Sequence, residues 1–149
     1  MDEQRQSFAA PTLVERGFNW AVGGLLRLGI GLPGMRLLEV RGRKSGTLYA
    51  LPVDLLSHNG TLYLVAPRGR AQWVRNAEAS GSVVLRRGRR IEHYQLRALT
   101  EAEKPVVLKA YLDRFRRQVQ RFFPLPAGSP ADAFAPLASR YPAFELTPA

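Results

Sequence analysis

The stretch Gly42-Arg43-Lys44-Ser45-Gly46 sets two cations and a hydroxyl between two glycines, just before an apolar run that begins at Thr47. Glycine lets the backbone turn tightly, so such a loop can aim successive N–H groups, a serine hydroxyl and two cationic side chains at one small volume. That is the chemistry of an anion site. Taken alone, the pentapeptide leaves two readings open, an anion cradle and a solvated basic hairpin turn. It is not a nucleoside-triphosphate loop, because the order Gly-x-x-x-x-Gly-Lys-Ser/Thr is absent and a strand-like run follows instead of a helix. Arg41, just outside the turn, has no role in either reading.

The overall composition points the same way. The 22 Lys and Arg against 12 Asp and Glu leave a formal charge of +10, which favours a polyanionic partner: a phosphorylated small molecule, nucleic acid or an anionic membrane. With no cysteine there is no disulfide, thiolate metal site or cysteine nucleophile, and the two histidines, His58 and His93, leave no histidine-rich metal site. No metal is expected. Ser45 lies outside a Gly-x-Ser-x-Gly setting, so serine hydrolase chemistry is not expected either. The sequence does not open with a basic segment followed by an apolar one, so export is not expected and a cytoplasmic location is. The most apolar run, Trp20 to Met35, is broken by Arg27 and Pro33 and is too short for a membrane span. Peripheral contact of this segment with a membrane stays open.

The elements that must hold the turn follow from periodicity. Val14, Phe18, Ala21, Leu25 and Leu28 form one stripe of a helix over Thr12 to Leu28, stopped by Gly29, Gly31, Pro33 and Gly34. Short β-type runs come next: Arg36 to Arg41, Thr47 to Leu56, Thr61 to Ala66, Ser82 to Arg87 and Arg90 to Leu99. Asn59-Gly60 signals one hairpin and Gly88, inside "RRGRR", a second. Between the third and fourth strands, Gly69 to Gly81 reads as a short helix ended by glycine. Thr100 and Glu103 form a capping box before a second amphipathic helix that starts near Lys104 and carries the stripe Leu108, Tyr111, Leu112, Phe115, Val119 and Phe122. Pro124 to Pro136 reads as a loop, and Ala143 to Thr147 as a last strand at a sheet edge. This order predicts one α+β domain over 1–149, built on a small antiparallel barrel. A helical segment over 1–34 precedes the barrel, inserted helix and C-terminal helix of 35–149.

The runs "LLEVRGRKSG", "LPVDLL", "LYLVAPRG" and "WVRN", in this order and at these separations, resemble the deazaflavin (F420)-dependent nitroreductase family. The similarity covers about Met35 to Leu99. It implies a split antiparallel β-barrel related to the FMN-binding split barrels, and an oxidoreductase that binds coenzyme F420, a deazaflavin whose tail carries a phosphate and an oligoglutamate chain. It further implies that Arg43, Lys44, Ser45 and Gly46 meet the phosphate region and that Pro52 and Val53 lie beside the ring. Val65, Ala66, Pro67 and Arg68 would line the cofactor after the third strand, and Gln72, Trp73, Arg75 and Asn76 would touch it from the helix. Arg68 and Arg70 would extend a basic track for the glutamate tail. Phe122, Phe123 and Tyr141 are candidates for covering the ring. The sequence departs from the family at Val40, Arg41 and Asp54, and no catalytic acid is singled out.

The expected reaction passes a hydride from reduced F420 to a small electrophilic acceptor, such as a quinone, a nitro compound or an activated double bond. Several alternatives stay open: FMN or FAD on the same barrel, a noncatalytic cofactor or lipid carrier, and a basic nucleic-acid-binding module. No nucleic-acid motif appears, so the last is not the expected partner. Monomer and homodimer are both compatible with the sequence.

Overall fold

The computed structural model describes residues 33–149. The expected helix over Thr12 to Leu28, with its membrane contact, lies outside the described residues. Seven strands form the frame: β1 (Met35–Arg41), β2 (Leu48–Asp54), β3 (Leu56–His58), β4 (Thr61–Val65), β5 (Ser82–Arg87), β6 (Arg90–Ala98) and β7 (Ala143–Pro148). They make one antiparallel sheet in the order β2-β1-β5-β6-β7-β4-β3. Alternation turns Leu38, Val40, Leu64, Val83, Leu85, Tyr94 and Leu146 to one face, where they form a buried cluster. The sheet curls around that cluster until β2 packs against β4, yet the two share no ladder and β2 and β3 remain the ends. The result is an α+β fold on a curled antiparallel half-barrel, an open form of the small barrel that the pattern predicts and in keeping with the split barrel that the family resemblance implies.

Three local expectations are corrected. The run from Thr47 to Leu56 is two strands, because the ladder stops at Asp54 and the Leu55 N–H turns to Gly34 O at 2.8 Å. The last strand is interior: β7 pairs with β6 on one side and β4 on the other. Its prolines bound the strand, Pro142 before it and Pro148 at its last position, so the ladder between them is intact. The predicted loop up to Pro136 is in part a packed element. Residues Ala131–Arg140 form a 3-10 helix that buries Phe134 and Ala138. Phe134 meets Phe123 edge-on at 6.1 Å, and Phe123 stacks on Tyr141 at 4.5 Å, so aromatic burial outweighs the Pro and Ala content of the segment.

Three α-helices complete the described residues: α1 (Gln72–Ser80), α2 (Lys104–Arg114) and α3 (Arg116–Val119). The second amphipathic helix is thus broken at Phe115, and its continuation ends in a 3-10 turn at Gln120–Phe122. The capping box before α2 forms as expected: Thr100 N–H donates to Glu103 Oε1 at 2.9 Å, and Glu103 N–H to Thr100 Oγ1 at 3.3 Å. Arg97 grips the same carboxylate at 2.9 and 2.8 Å. Those hydrogen bonds, from Arg97 first and then Thr100, hold the Glu103 carboxyl down at about 2. The start of α2, and with it Lys104, is therefore tied to the end of β6.

Phe134 is 0% exposed, so Phe134→Ala is expected to destabilise the fold by about 3–4 kcal/mol in a denaturant titration. A loss below about 1 kcal/mol would show that the 3-10 segment is not packed. Asp54 gives a second test. One of its carboxylate oxygens is buried without a hydrogen-bond partner, and burial raises the carboxyl to about 6 against the opposing attraction of Arg114. A raised folded value means the group contributes fully below its unfolded value, and that contribution is lost as pH rises through about 6. Asp54→Asn should therefore be more stable than the wild type by about 2 kcal/mol at about pH 8, and the gain should vanish by about pH 4. Equal stability at both pH values would contradict the burial.

Candidate functional site

The turn between β1 and β2 is held by its own short bonds. Gly42 N–H donates to Thr47 O at 2.7 Å and Gly46 N–H to Gly42 O at 2.9 Å. Ser45 Oγ accepts the Thr47 N–H at 3.2 Å and donates to Thr47 Oγ1 at 2.9 Å. Arg41 Nη1 donates to Gly46 O at 3.1 Å, which gives that cation a structural role that the sequence did not reveal. Glycine suits both ends for different reasons. A Cβ on Gly42 would stand 2.9 Å from the Tyr49 ring, and Gly46 has φ +74°. The Lys44 side chain is exposed at the tip.

The turn is fastened to α1. That helix begins after Ala71 and ends at Gly81, whose left-handed conformation lets its N–H reach Ala77 O at 2.8 Å. It buries Val74, Asn76 and Ala77. Gln72 and Asn76, one turn apart, present their amide oxygens together. Asn76 Oδ1 accepts the Arg43 backbone N–H at 3.1 Å and Arg43 Nη1 at 2.8 Å, and Gln72 Oε1 accepts Nη1 at 3.0 Å. Both acceptors are neutral. They fix where the Arg43 guanidinium points and leave its charge for a ligand.

Two adjoining cavities open beside this contact. The smaller, about 340 Å³, is lined by Arg43, Arg70, Arg75 and Glu78. Arg70 Nη2 and Glu78 Oε1 pair at 2.8 Å, so three guanidinium groups face one carboxylate that is already engaged. A polyanion suits this donor set. The larger groove, about 810 Å³, shares Arg70 and Glu78 with the cleft. Its walls come from Pro67 to Gly69 after β4, Leu99 after β6, Lys104, Phe122 and the Ser139 to Phe144 run. Phe122 is flanked by guanidinium groups, Arg68 at 5.0 Å and Arg121 at 4.7 Å from the ring centre.

The structure thus divides the fourteen residues named from the sequence. It brings Arg43, Gln72, Arg75 and Asn76 together at the cleft, with Lys44, Ser45 and Gly46 on the turn beside them. Pro67 and Arg68 line the larger groove. Pro52 and Val53 lie half-buried on β2 and line neither cavity, Val53 packing on the barrel cluster. Val65 and Ala66 are buried. Trp73 packs into the core, its ring 6.4 Å from Phe144, so its contacts here are those of an anchoring residue. Sequence reading missed Glu78 and Lys104. Glu78 has a local sign in retrospect, since it follows Gln72 and Arg75 by steps of three residues on the helix facing the turn.

A sequence profile described as F420H(2)-dependent quinone reductase matches residues 12–121. No protein of curated function matches the chain. Among solved structures, the F420-H2 dependent reductase FDR-A is 18% identical, with a TM-score of 0.53 over 80% of this chain and 100% of that one. The haem storage protein HutZ from Vibrio cholerae is 11% identical, with a TM-score of 0.54 over 78% and 82%. An FAD-binding protein from Mesorhizobium loti is 11% identical, with a TM-score of 0.50 over 87% and 88%. At such identities the likeness concerns the fold, and three different ligand descriptions on one fold show that the barrel by itself does not choose a cofactor.

Asn76 is 5% exposed, so Asn76→Ala should leave the Arg43 N–H without its acceptor and cost about 1–3 kcal/mol in chemical denaturation. Gln72→Ala, at an exposed position, should cost less than about 0.5 kcal/mol. Equal losses for the two variants would show that the contact does not depend on the buried oxygen.

Proposed function

Because the chain belongs to the F420H2-dependent quinone reductase family, and so is an F420-dependent oxidoreductase, we propose that it passes a hydride to a quinone and that the cleft between the turn and α1 takes the anionic part of F420. The observation that carries the placement is the Arg43 contact with Asn76 and Gln72. It gathers three arginines around one cavity with a single, already paired carboxylate.

On this reading the residues present fit the cofactor's charge. Arg43, Arg70 and Arg75 supply guanidinium donors for phosphate and carboxylate oxygens, and Lys44 at the exposed tip adds a mobile ammonium. Ser45 holds the turn through Thr47, and Asn76 and Gln72 aim Arg43; these three position the donors. Gly46 keeps the turn's shape. Pro67 and Arg68 join the site from the groove side, with Val65 and Ala66 as its buried backing and Trp73 as the anchor that keeps α1 on β7. Pro52 and Val53 remain the proposed support beside the ring on β2. Bound and reduced, F420 supplies the hydride; the protein's share is to bind, orient and exclude water from the transfer.

The test is a fluorescence titration with oxidised F420, with FMN and FAD as competitors. The wild type should bind F420 in preference to both flavins, and an Arg43→Ala, Lys44→Ala double variant should bind it about ten- to a hundredfold more weakly. Equal affinity for the two proteins would remove the phosphate-site assignment. No binding by the wild type would overturn the larger reading.

A further inference from the structure

The two cavities differ in chemistry. The cleft is lined by charged side chains alone, whereas the groove also has an apolar floor that includes Pro67, Phe122 and Pro142 above the buried Leu99, Tyr141 and Phe144. One charge is sunk in that floor. Lys104, the first residue of α2, is 8% exposed and lines the groove. Its Nζ donates to Ala138 O at 3.0 Å and reaches Glu101 Oε1 at 3.4 Å. The Glu101 side chain is 65% exposed, so it is a long, solvent-screened counter-charge. The carbonyl and the exposed Glu101 carboxylate, which also lines the groove, take two of the ammonium's N–H groups, and the third can still take an acceptor. At the rim Arg68 and Arg140 add positive charge, while Arg70 and Glu78 pair with each other.

We propose that this groove binds a flat apolar molecule carrying a single acid group, and that Lys104 takes the acid. The inference rests on the quinone reductase reading, under which such a molecule is the acceptor: a quinone with an acidic substituent. An oligoglutamate chain fits the groove worse, since it is acidic along its length and offers nothing to cover Pro67, Phe122 and Pro142. The all-charged cleft next door suits it better. Lys104 is then a specificity-determining residue, placed by the hydrogen-bonded corner that joins β6 to α2.

The experiment is calorimetric titration of the whole chain, without cofactor, using 2-naphthoate and its neutral counterpart 2-naphthamide. The wild type should favour the acid by about tenfold or more. Lys104→Met should abolish the preference, and Lys104→Arg should keep most of it. Equal binding of acid and amide by the wild type, no binding of the acid, or an unchanged preference in Lys104→Met would each overturn the proposal. If Lys104→Met does not fold, the acid-to-amide ratio in the wild type and Lys104→Arg decides. F420 titration of the same proteins is a separate readout. Its failure in the wild type would remove the reductase reading, whereas a naphthoate preference without Lys104 dependence would remove only this inference.

Discussion

Asn76 Oδ1 accepts both the backbone N–H and the guanidinium of Arg43, across 33 residues of sequence. Together with Gln72 Oε1 on the same guanidinium, the contact joins the β1–β2 turn to the helix that follows β4. A buried carboxamide oxygen satisfied by two donors from one residue is costly to break, because either the oxygen or the N–H loses its partner away from water. The site therefore has the rigidity of the barrel to which both pieces belong.

Electrostatics follow from that geometry. Neutral acceptors orient Arg43 without cancelling it, and Glu78, the carboxylate that lines the cleft among the described residues, is engaged by Arg70. Three arginines therefore line a cavity of about 340 Å³, a donor set suited to an anion. The Arg70–Glu78 pair is also the wall shared with the larger groove.

Much of this was legible in the sequence because the relevant signals are local. Alternating runs, Asn59-Gly60 and the Thr100–Glu103 box each act over a few residues, and all but the run from Thr47 to Leu56, which splits in two, form as read. The errors arose where distant packing decides. Ala143 to Thr147 looks like an edge when only its flanking prolines are read, but the curl of the sheet provides partners on both sides. The segment before Tyr141 looks like a loop until Phe134 finds the aromatic cluster of Phe123 and Tyr141. At the site, the cation-rich turn was visible, whereas the side chains that aim it were known only as family contacts. Asn76 and Gln72 prove to hold Arg43, and Arg41 and Ser45 prove to hold the turn. Nothing in the residues around Lys104 announces that a lysine will be buried in a groove wall.

The central claim is that Asn76 acts on the cofactor through Arg43. A double-mutant cycle on F420 affinity, with Arg43→Ala, Asn76→Ala and the pair together, tests it most directly. If Asn76 serves to aim Arg43, the double variant should bind F420 about as weakly as Arg43→Ala alone, with a coupling near the whole effect of Asn76→Ala. Additive losses, or unchanged affinity in both single variants, would contradict the account.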